Sequence, residues 1–376
     1  MARHEEELAL IALTQIEGVG GKVCRRLRER WGRLAAFWEG APLPEAIRAE
    51  APDRIALRHQ AETIATLCEK HRIEIIPFWS ERFPVLLRHI PAAPAILYRR
   101  GSLEDLSRLS VAVVGTRKPD SYGLQATEVF TEALVEAGAV IVSGLAYGID
   151  ARAHQTALTK GGLTVAVLAH GLDIVYPPLH KPLAEKILSQ GALLSEYPPG
   201  DRLHPMRFPH RNRIIAGLSH LTLVVQSSVP GGALTTARAA FAADRPVFAV
   251  PGPIFSPLSQ GCHQLIYEQI AQIAHNPALV VNELKSQAER LLFPASEVVP
   301  TAGTSFEEKP HFGDPLDQAI YEAVASGLNL LDDVAAQVGR PIQEVVQRVV
   351  FMELEGRLIQ EPGGKIRLSK LPGARS

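Results

Sequence analysis

The stretch Ser110-Val111-Ala112-Val113-Val114-Gly115-Thr116-Arg117-Lys118 decides the fold. Its apolar run, three valines in four residues, reads as a strand buried on both faces. The run ends in a glycine, a hydroxyl and two cations, and a helical pattern over 124–137 follows. Strand, turn and helix in that order put backbone N–H groups and positive charge at the carboxyl edge of a parallel sheet, where open α/β sheets bind ligands. The stretch is neither the GxGxxG dinucleotide fingerprint nor the GxxxxGK[ST] phosphate loop, so no cofactor is expected.

Outward from it the same grammar repeats. Apolar runs at 140–142, 165–168, 192–194, 221–225, 247–250 and 279–281 are separated by helical patterns such as 149–159, 181–190 and 233–243. That alternation predicts an extended Rossmann-like α/β domain over 71–285, a parallel sheet covered on both faces. Ahead of it, 75–77 and 95–98 read as edge strands with prolines between them. Residues 1–70 predict short helices: a periodic segment around 8–16, the turn Gly18-Val19-Gly20-Gly21 and a basic helix over 22–31. Two helices around a glycine turn suggest a helix-hairpin-helix, whose turn amides can meet phosphate or simply pack. Residues 286–312 lose periodicity and read as a linker. Helical patterns at 316–325, 331–338 and 341–355, then two short strands around Pro362-Gly363-Gly364, predict a winged helix over 313–376.

Bulk properties narrow the class. A chain of 376 residues with 46% hydrophobic and 21% charged residues is globular and holds two or three domains. Cys24, Cys68 and Cys262 lie far apart, which argues against a disulfide framework or a zinc cage and for a reducing, cytoplasmic setting. No apolar run approaches the ~18 residues of a membrane span. The net charge of −1 gives no hint of nucleic acid. Its distribution does: residues 202–243 contain no Asp or Glu, yet hold Arg202, Arg207, Arg211, Arg213 and Arg238. Such a strip suits a phosphate-binding groove or a buried segment equally.

Three further loops join the first as anion cradles. Ser143 and Gly144 lead through Gly148 into a helix, with Asp150 expected as its N-cap and His154 as a structural or phosphate-facing side chain. The segment 207–213 supplies Arg207, Phe208, Arg211, Asn212 and Arg213: guanidinium groups for phosphate and a ring for base stacking. At least one arginine of Arg211-Asn212-Arg213 is expected to pair with Glu196 instead. Gly231 and Gly232 precede the fourth helix. Singly each loop says little; their convergence on one sheet edge is what suggests a site, with no catalytic residue in it.

Taken in order, VAVVGTRKPDSYG, VSGLAYGIDARAHQTAL, TVAVLAHGLDIVYPPLH, GALLSEYPPG, FPHRNRIIAGLS, GGALTTARAA and FAVPGP resemble the motifs of the DNA-processing protein A (DprA/Smf) family. The likeness is close over about 75–270, with departures at Gln226, Pro230 and His263. It implies a SAM/helix-hairpin-helix-like module before the Rossmann-like domain and a winged helix after it. It also implies a homodimer through the Rossmann-like domain that binds and protects single-stranded DNA and loads RecA during natural transformation (competence). Single-strand-binding protein is a further partner in that setting. By motif position the DNA pocket involves Gly115, Thr116, Arg117, the Ser143-Gly144 loop and 207–213. The alternative is a nucleotide N-glycosidase-like enzyme of the lysine-decarboxylase-like Rossmann type. Its motif places a glutamate where Arg238 stands, and a cation cannot do a carboxylate's acid–base work. A duplex-binding transcription factor fits poorly, because the candidate recognition helix carries Glu344, Glu353 and Glu355 against Arg348.

Overall fold

Strands that are apolar on both faces can be satisfied only in the middle of a covered sheet, and that requirement organises the protein. A computed structural model describes residues 2–48, 53–103, 105–292, 314–354, 357–361 and 365–368. The chain divides into two compact units, Met1–Ser296 and Glu297–Ser376.

The first unit opens with helices α1 (Ala2–Thr14), α2 (Gly21–Trp31), α3 (Glu45–Arg48) and α4 (Arg54–Lys70). Helix α1 is buried all round from Leu8 to Leu13, which a surface helix never is. It shares one core with Leu57 and Ile64 of α4 and with Tyr98, Leu168 and Leu193 of the sheet. There follow β1 (Glu74–Pro77), α5 (Val85–Arg88), β2 (Ile96–Gly101), β3 (Ser110–Val114), α6 (Ser121–Glu136), β4 (Val140–Ser143) and α7 (Ile149–Thr159). Then come β5 (Thr164–Leu168), α8 (Lys181–Gln190), β6 (Ala192–Ser195), α9 (Arg207–Gly217), β7 (Leu221–Val224) and α10 (Gly232–Ala242). The unit ends with β8 (Val247–Ala249), α11 (Gln260–Tyr267), β9 (Gln272–Ile273) and α12 (Pro277–Leu292).

The nine strands lie in the order β1-β2-β6-β5-β4-β3-β7-β8-β9. From β6 to β9 every pairing is parallel, and β1 and β2 run antiparallel at one end. Side chains alternate between the faces, so Val111 and Val113 enter one core while Ala112 and Val114 enter the other. The protein is thus α/β, built on a mostly parallel sheet.

Three expectations are corrected. Residues 279–281 belong to α12, not to a strand. A short apolar run has no period of its own, and here Val280 and Leu284, one helical turn apart, are the buried pair. The run 95–98 is not at an edge, because β2 lies between β1 and β6. Helix α12 also continues through 286–292, the start of the expected linker; residues 293–312 lie outside the described residues. The helix α9 had little helical pattern around Pro209. Proline is tolerated there because the first four N–H groups of a helix have no internal partner.

The second unit contains α13 (Pro315–Ala325), α14 (Leu331–Val338), α15 (Ile342–Leu354) and a hairpin of β10 (Leu358–Glu361) and β11 (Lys365–Leu368). Ile320, Val334, Val345, Val349, Met352, Leu358 and Ile366 form its core. Residues 355 and 362–364 lie outside the described residues.

Two histidines are built into the first unit uncharged. Thr164 Oγ1 donates to the Ile141 carbonyl at 2.7 Å, so His154 Nδ1, 2.6 Å away, donates to that hydroxyl. His220 Nδ1 accepts from Ser110 N at 3.1 Å. Burial pushes His154 down to about 3 and His220 down to about 4, from an ordinary value of 6.5. Because the folded values are depressed, their stability contribution is complete above pH 6.5 and is lost as pH falls toward 4 and 3. Urea unfolding at pH 7 and pH 5 is expected to show a larger loss of stability in the wild type than in His154→Leu. An equal loss in both would contradict the assignment.

Candidate functional site

The strands β4, β5 and β6 extend to one side of β3, and β7 lies on its other side. Loops from neighbouring strands therefore diverge between β3 and β7, and a crevice opens beyond their carboxyl ends. A cleft of about 570 Å³ occupies that place. Gly115, Thr116, Arg117 and Lys118 line it after β3, Phe208, Arg211 and Asn212 from α9, and Gly231 and Gly232 at the start of α10. Of the residues singled out in the sequence, Ser143, Gly144, Arg207 and Arg213 do not line it.

The cleft is held open by three consecutive residues of α9. Side chains on a helix advance about 100° per residue, so Arg211, Asn212 and Arg213 point three ways. Arg211 points under the cleft, donating to the carbonyls of Gly144, at 2.8 Å, and Val167. Asn212 Nδ2 reaches α10, donating to Gly232 O at 3.2 Å and Thr235 Oγ1 at 2.7 Å. Arg213 Nη2 lies 2.6 Å from Glu196 Oε2, just past β6. The pairing with Glu196 expected for one of the two arginines thus falls to Arg213. One helical turn ties the ends of β4, β5 and β6 to α10.

Arg211 is only 5% exposed. Burial pulls its pKa down to about 10, with Asp150 opposing, so the cation persists at neutral pH. Asp150 is equally buried, and burial raises its pKa against Arg211 and the amides of Ala146 and Gly144. The expected N-cap role of Asp150 is not what it does: Gly148 is the N-cap of α7, and the Asp150 carboxylate instead accepts from Gly144 N at 3.1 Å. A side chain at Gly144 would displace the Arg211 guanidinium, since a Cβ there would stand 2.5 Å from Nη2. Gly148 has φ +77°, and its Cβ would meet Thr116 O at 2.3 Å, so the loops after β3 and β4 touch. Ser143 lies buried beneath, its hydroxyl donating to Val113 O at 2.7 Å.

What the cleft offers a ligand is mainly cationic side chains. The Thr116 amide is already spent on Gln226 O at 2.8 Å. Arg117 and Lys118 are exposed and, among the described residues, form no salt bridge. The Arg117 guanidinium lies over the Phe208 ring at 5.4 Å and that of Arg211 at 6.0 Å. Helix α10 has Gly231 as its N-cap and no side-chain cap, leaving first-turn N–H groups and the positive end of the helix dipole at the rim. Among the described lining residues Asp150 is the one carboxylate, and it faces Arg211. Arg238 lies outside the lining, 2.9 Å from Glu268. No three His, Cys, Asp or Glu side chains among the described residues gather as a metal site. The arrangement suits holding a polyanion.

Arg207 and Arg213 face a second cavity of about 300 Å³, shared with Gly20 and Gly21 of the N-terminal hairpin. Both arginines are committed there, Arg207 to Asp201 at 2.8 Å and, ring-on, to Tyr197 at 4.3 Å. The hairpin itself is packed: Arg25 donates to Ala93 O and Pro94 O, and a Cβ on Gly21 would lie 2.0 Å from Ala93 O. Sequence reasoning missed the Asp150–Arg211 relation, since nothing in a separation of that length marks it. Removing the cation alone strands a buried carboxylate. Arg211→Met is therefore expected to cost about 3–5 kcal/mol in urea unfolding, whereas Arg117→Ala stays within about 0.5 kcal/mol of wild type. Equal stability of the two variants would contradict this division.

Comparison with known proteins accords with the geometry. The family model for DNA recombination-mediator protein A matches residues 74–285. Protein Smf of Synechocystis sp. is 32% identical over 390 residues, covering 96% of this chain and 98% of that protein. The crystal structure of DNA processing protein A from Streptococcus pneumoniae is similar with a TM-score of 0.60 at 32% identity, over 75% of this chain and 96% of that one. The structure of DNA processing protein A from Helicobacter pylori, described for its single-stranded DNA binding mode, gives a TM-score of 0.52 at 30% identity, over 57% and 96% of the two chains. With the family model spanning the whole sheet and its cleft, and the Smf relative aligned over nearly the full length, this chain belongs to the DNA recombination-mediator protein A (DprA/Smf) family.

Proposed function

We propose that the chain binds single-stranded DNA in the cleft between β3 and β7 and acts there as a recombination mediator rather than an enzyme. The observation that carries the reading is the pair Arg117 and Lys118: exposed cations that form no salt bridge among the described residues, above a cleft whose one carboxylate among the described lining residues is opposed by Arg211. Phosphates of the strand meet these side chains and the uncapped start of α10, with Gly115, Thr116, Phe208, Arg211, Asn212, Gly231 and Gly232 as its walls. In this account Ser143, Gly144, Arg207 and Arg213 shape the site from behind. The family and the single-strand-binding relative support the reading.

Within the same proposal the protein is cytoplasmic, dimerises through the Rossmann-like domain of residues 71–285, protects incoming DNA and loads RecA in natural transformation, with single-strand-binding protein nearby. Residues 1–70 act as its helical SAM/helix-hairpin-helix-like module. The C-terminal unit, read as a winged helix of residues 313–376 after a linker, contacts protein rather than duplex. On α15, Arg348 is engaged with Asp314 and Asp317, and Ile342, Val346, Val350 and Phe351 are exposed. A duplex-reading helix needs free cations on that face.

Binding of a dT oligomer across a salt series tests the cleft. Arg117→Ala is expected to weaken binding and to lower the log–log salt slope by about 0.7, the value of one single-strand phosphate contact. Unchanged affinity and slope would remove the cleft from DNA binding. Nucleoside monophosphates incubated with the protein are expected to stay intact; release of free base would restore the enzyme reading.

A further inference from the structure

The loop that leads into α8 carries an unusual surface. Ile174, Tyr176 and Leu179 are exposed at 43%, 40% and 79%, and all lie within six residues. Contiguous exposed apolar groups call for a partner. This loop is also firmly held. His180 Nδ1 lies 2.8 Å from Leu145 O, and the Tyr147 ring meets the His180 ring edge-on at 4.8 Å. The loop is thereby pinned to the β4–α7 connection, whose Ala146 lines the cleft.

Tyr176 does not line the cleft, but its ring lies 6.2 Å, centroid to centroid, from that of Phe208, which does. The two rings differ in what they have free. Phe208 already has the guanidinium groups of Arg117 and Arg211 over it. Such cation–π contacts hold a cation in place and compete with a base for the same ring. Tyr176 has no cation over it among the described residues and is exposed.

We propose that Tyr176 is the base-stacking residue of this site, and that Phe208 is a positioning residue that holds Arg117 over the phosphates. The occupant is the nucleobase that follows the gripped phosphate as the strand leaves the cleft past Phe208. Continuity of Tyr176 with the cleft wall argues for the same strand rather than a separate partner. The assignment also accounts for single-strand preference, since only an unpaired base has a face to give. It rests on the proposed DNA-binding reading.

The test compares a dT oligomer with an abasic oligomer of equal length, which keeps the phosphates and removes the bases. Tyr176→Ala is expected to weaken dT binding by roughly five-fold or more, with the salt slope and the abasic affinity unchanged. Tyr176→Phe is expected to restore binding, because stacking needs the ring and not the hydroxyl. Phe208→Leu is expected to weaken dT and abasic binding alike and to lower the salt slope. Tyr176→Ala that binds dT like wild type, or that loses dT and abasic binding equally, overturns the inference. If at the same time Arg117→Ala weakens binding, the cleft stands and only the stacking role falls. A wild-type protein that binds neither oligomer overturns both.

Discussion

The rest of the site depends on one buried cation: the Arg211 guanidinium, held under the cleft by the carbonyls of Gly144 and Val167, with the charge of Asp150 opposing the cost of its burial. Neither charge is stable there alone. Taking a lone charge out of water is very costly, and the cost is recovered only when opposite charge and hydrogen bonds surround it. Here the carbonyls of Gly144 and Val167 accept hydrogen bonds from the guanidinium, and the Gly144 amide donates to the carboxylate. Gly144 thus serves both charges with its two backbone groups, which leaves no room for a side chain. Because Arg211 sits on α9, the interaction fixes that helix across the ends of β4 and β5, and Asn212 and Arg213 extend the hold to α10 and β6.

This arrangement sorts arginines that look alike in the sequence. Arg207, Arg211 and Arg213 are each engaged by a carboxylate, a carbonyl or a ring of the same chain. Among the described residues Arg117 has the Phe208 face, an attraction that orients a cation without neutralising it. A guanidinium held in direction but not in charge is well prepared for phosphate. The acid-free strip 202–243 therefore carries two roles at once. It builds a frame under the cleft, and it supplies the Phe208 ring and the helix terminus that line it.

Much of the fold was legible. The stretch 110–118 predicted both β3 and the loop that lines the cleft, since a doubly buried strand must be apolar throughout and its ligand loop cannot be. The N-terminal hairpin and the three C-terminal helices likewise announced themselves through periodicity and turn residues. The failures have a common cause, that short apolar runs do not encode their neighbours. Residues 279–281 resemble a strand locally, but α12 buries Val280 and Leu284 on one stripe. Residues 95–98 read as an edge, but strand order is set by which partners are near in space, and β6 lies almost a hundred residues away. In the site, Gly115, Arg117 and Gly231 could be placed by their turns. The commitment of Arg213 to Glu196 was readable as a possibility of charge pairing, whereas that of Arg211 to two carbonyls was not, since every residue has a carbonyl.

A crystal structure of the full chain with a short dT oligomer tests the central claim most directly. The account predicts a backbone phosphate within hydrogen-bonding distance of Arg117 at the β3–β7 cleft, with Arg211 still on the carbonyls of Gly144 and Val167. A strand bound elsewhere, or an Arg211 side chain swung out of its burial to meet phosphate, would contradict it.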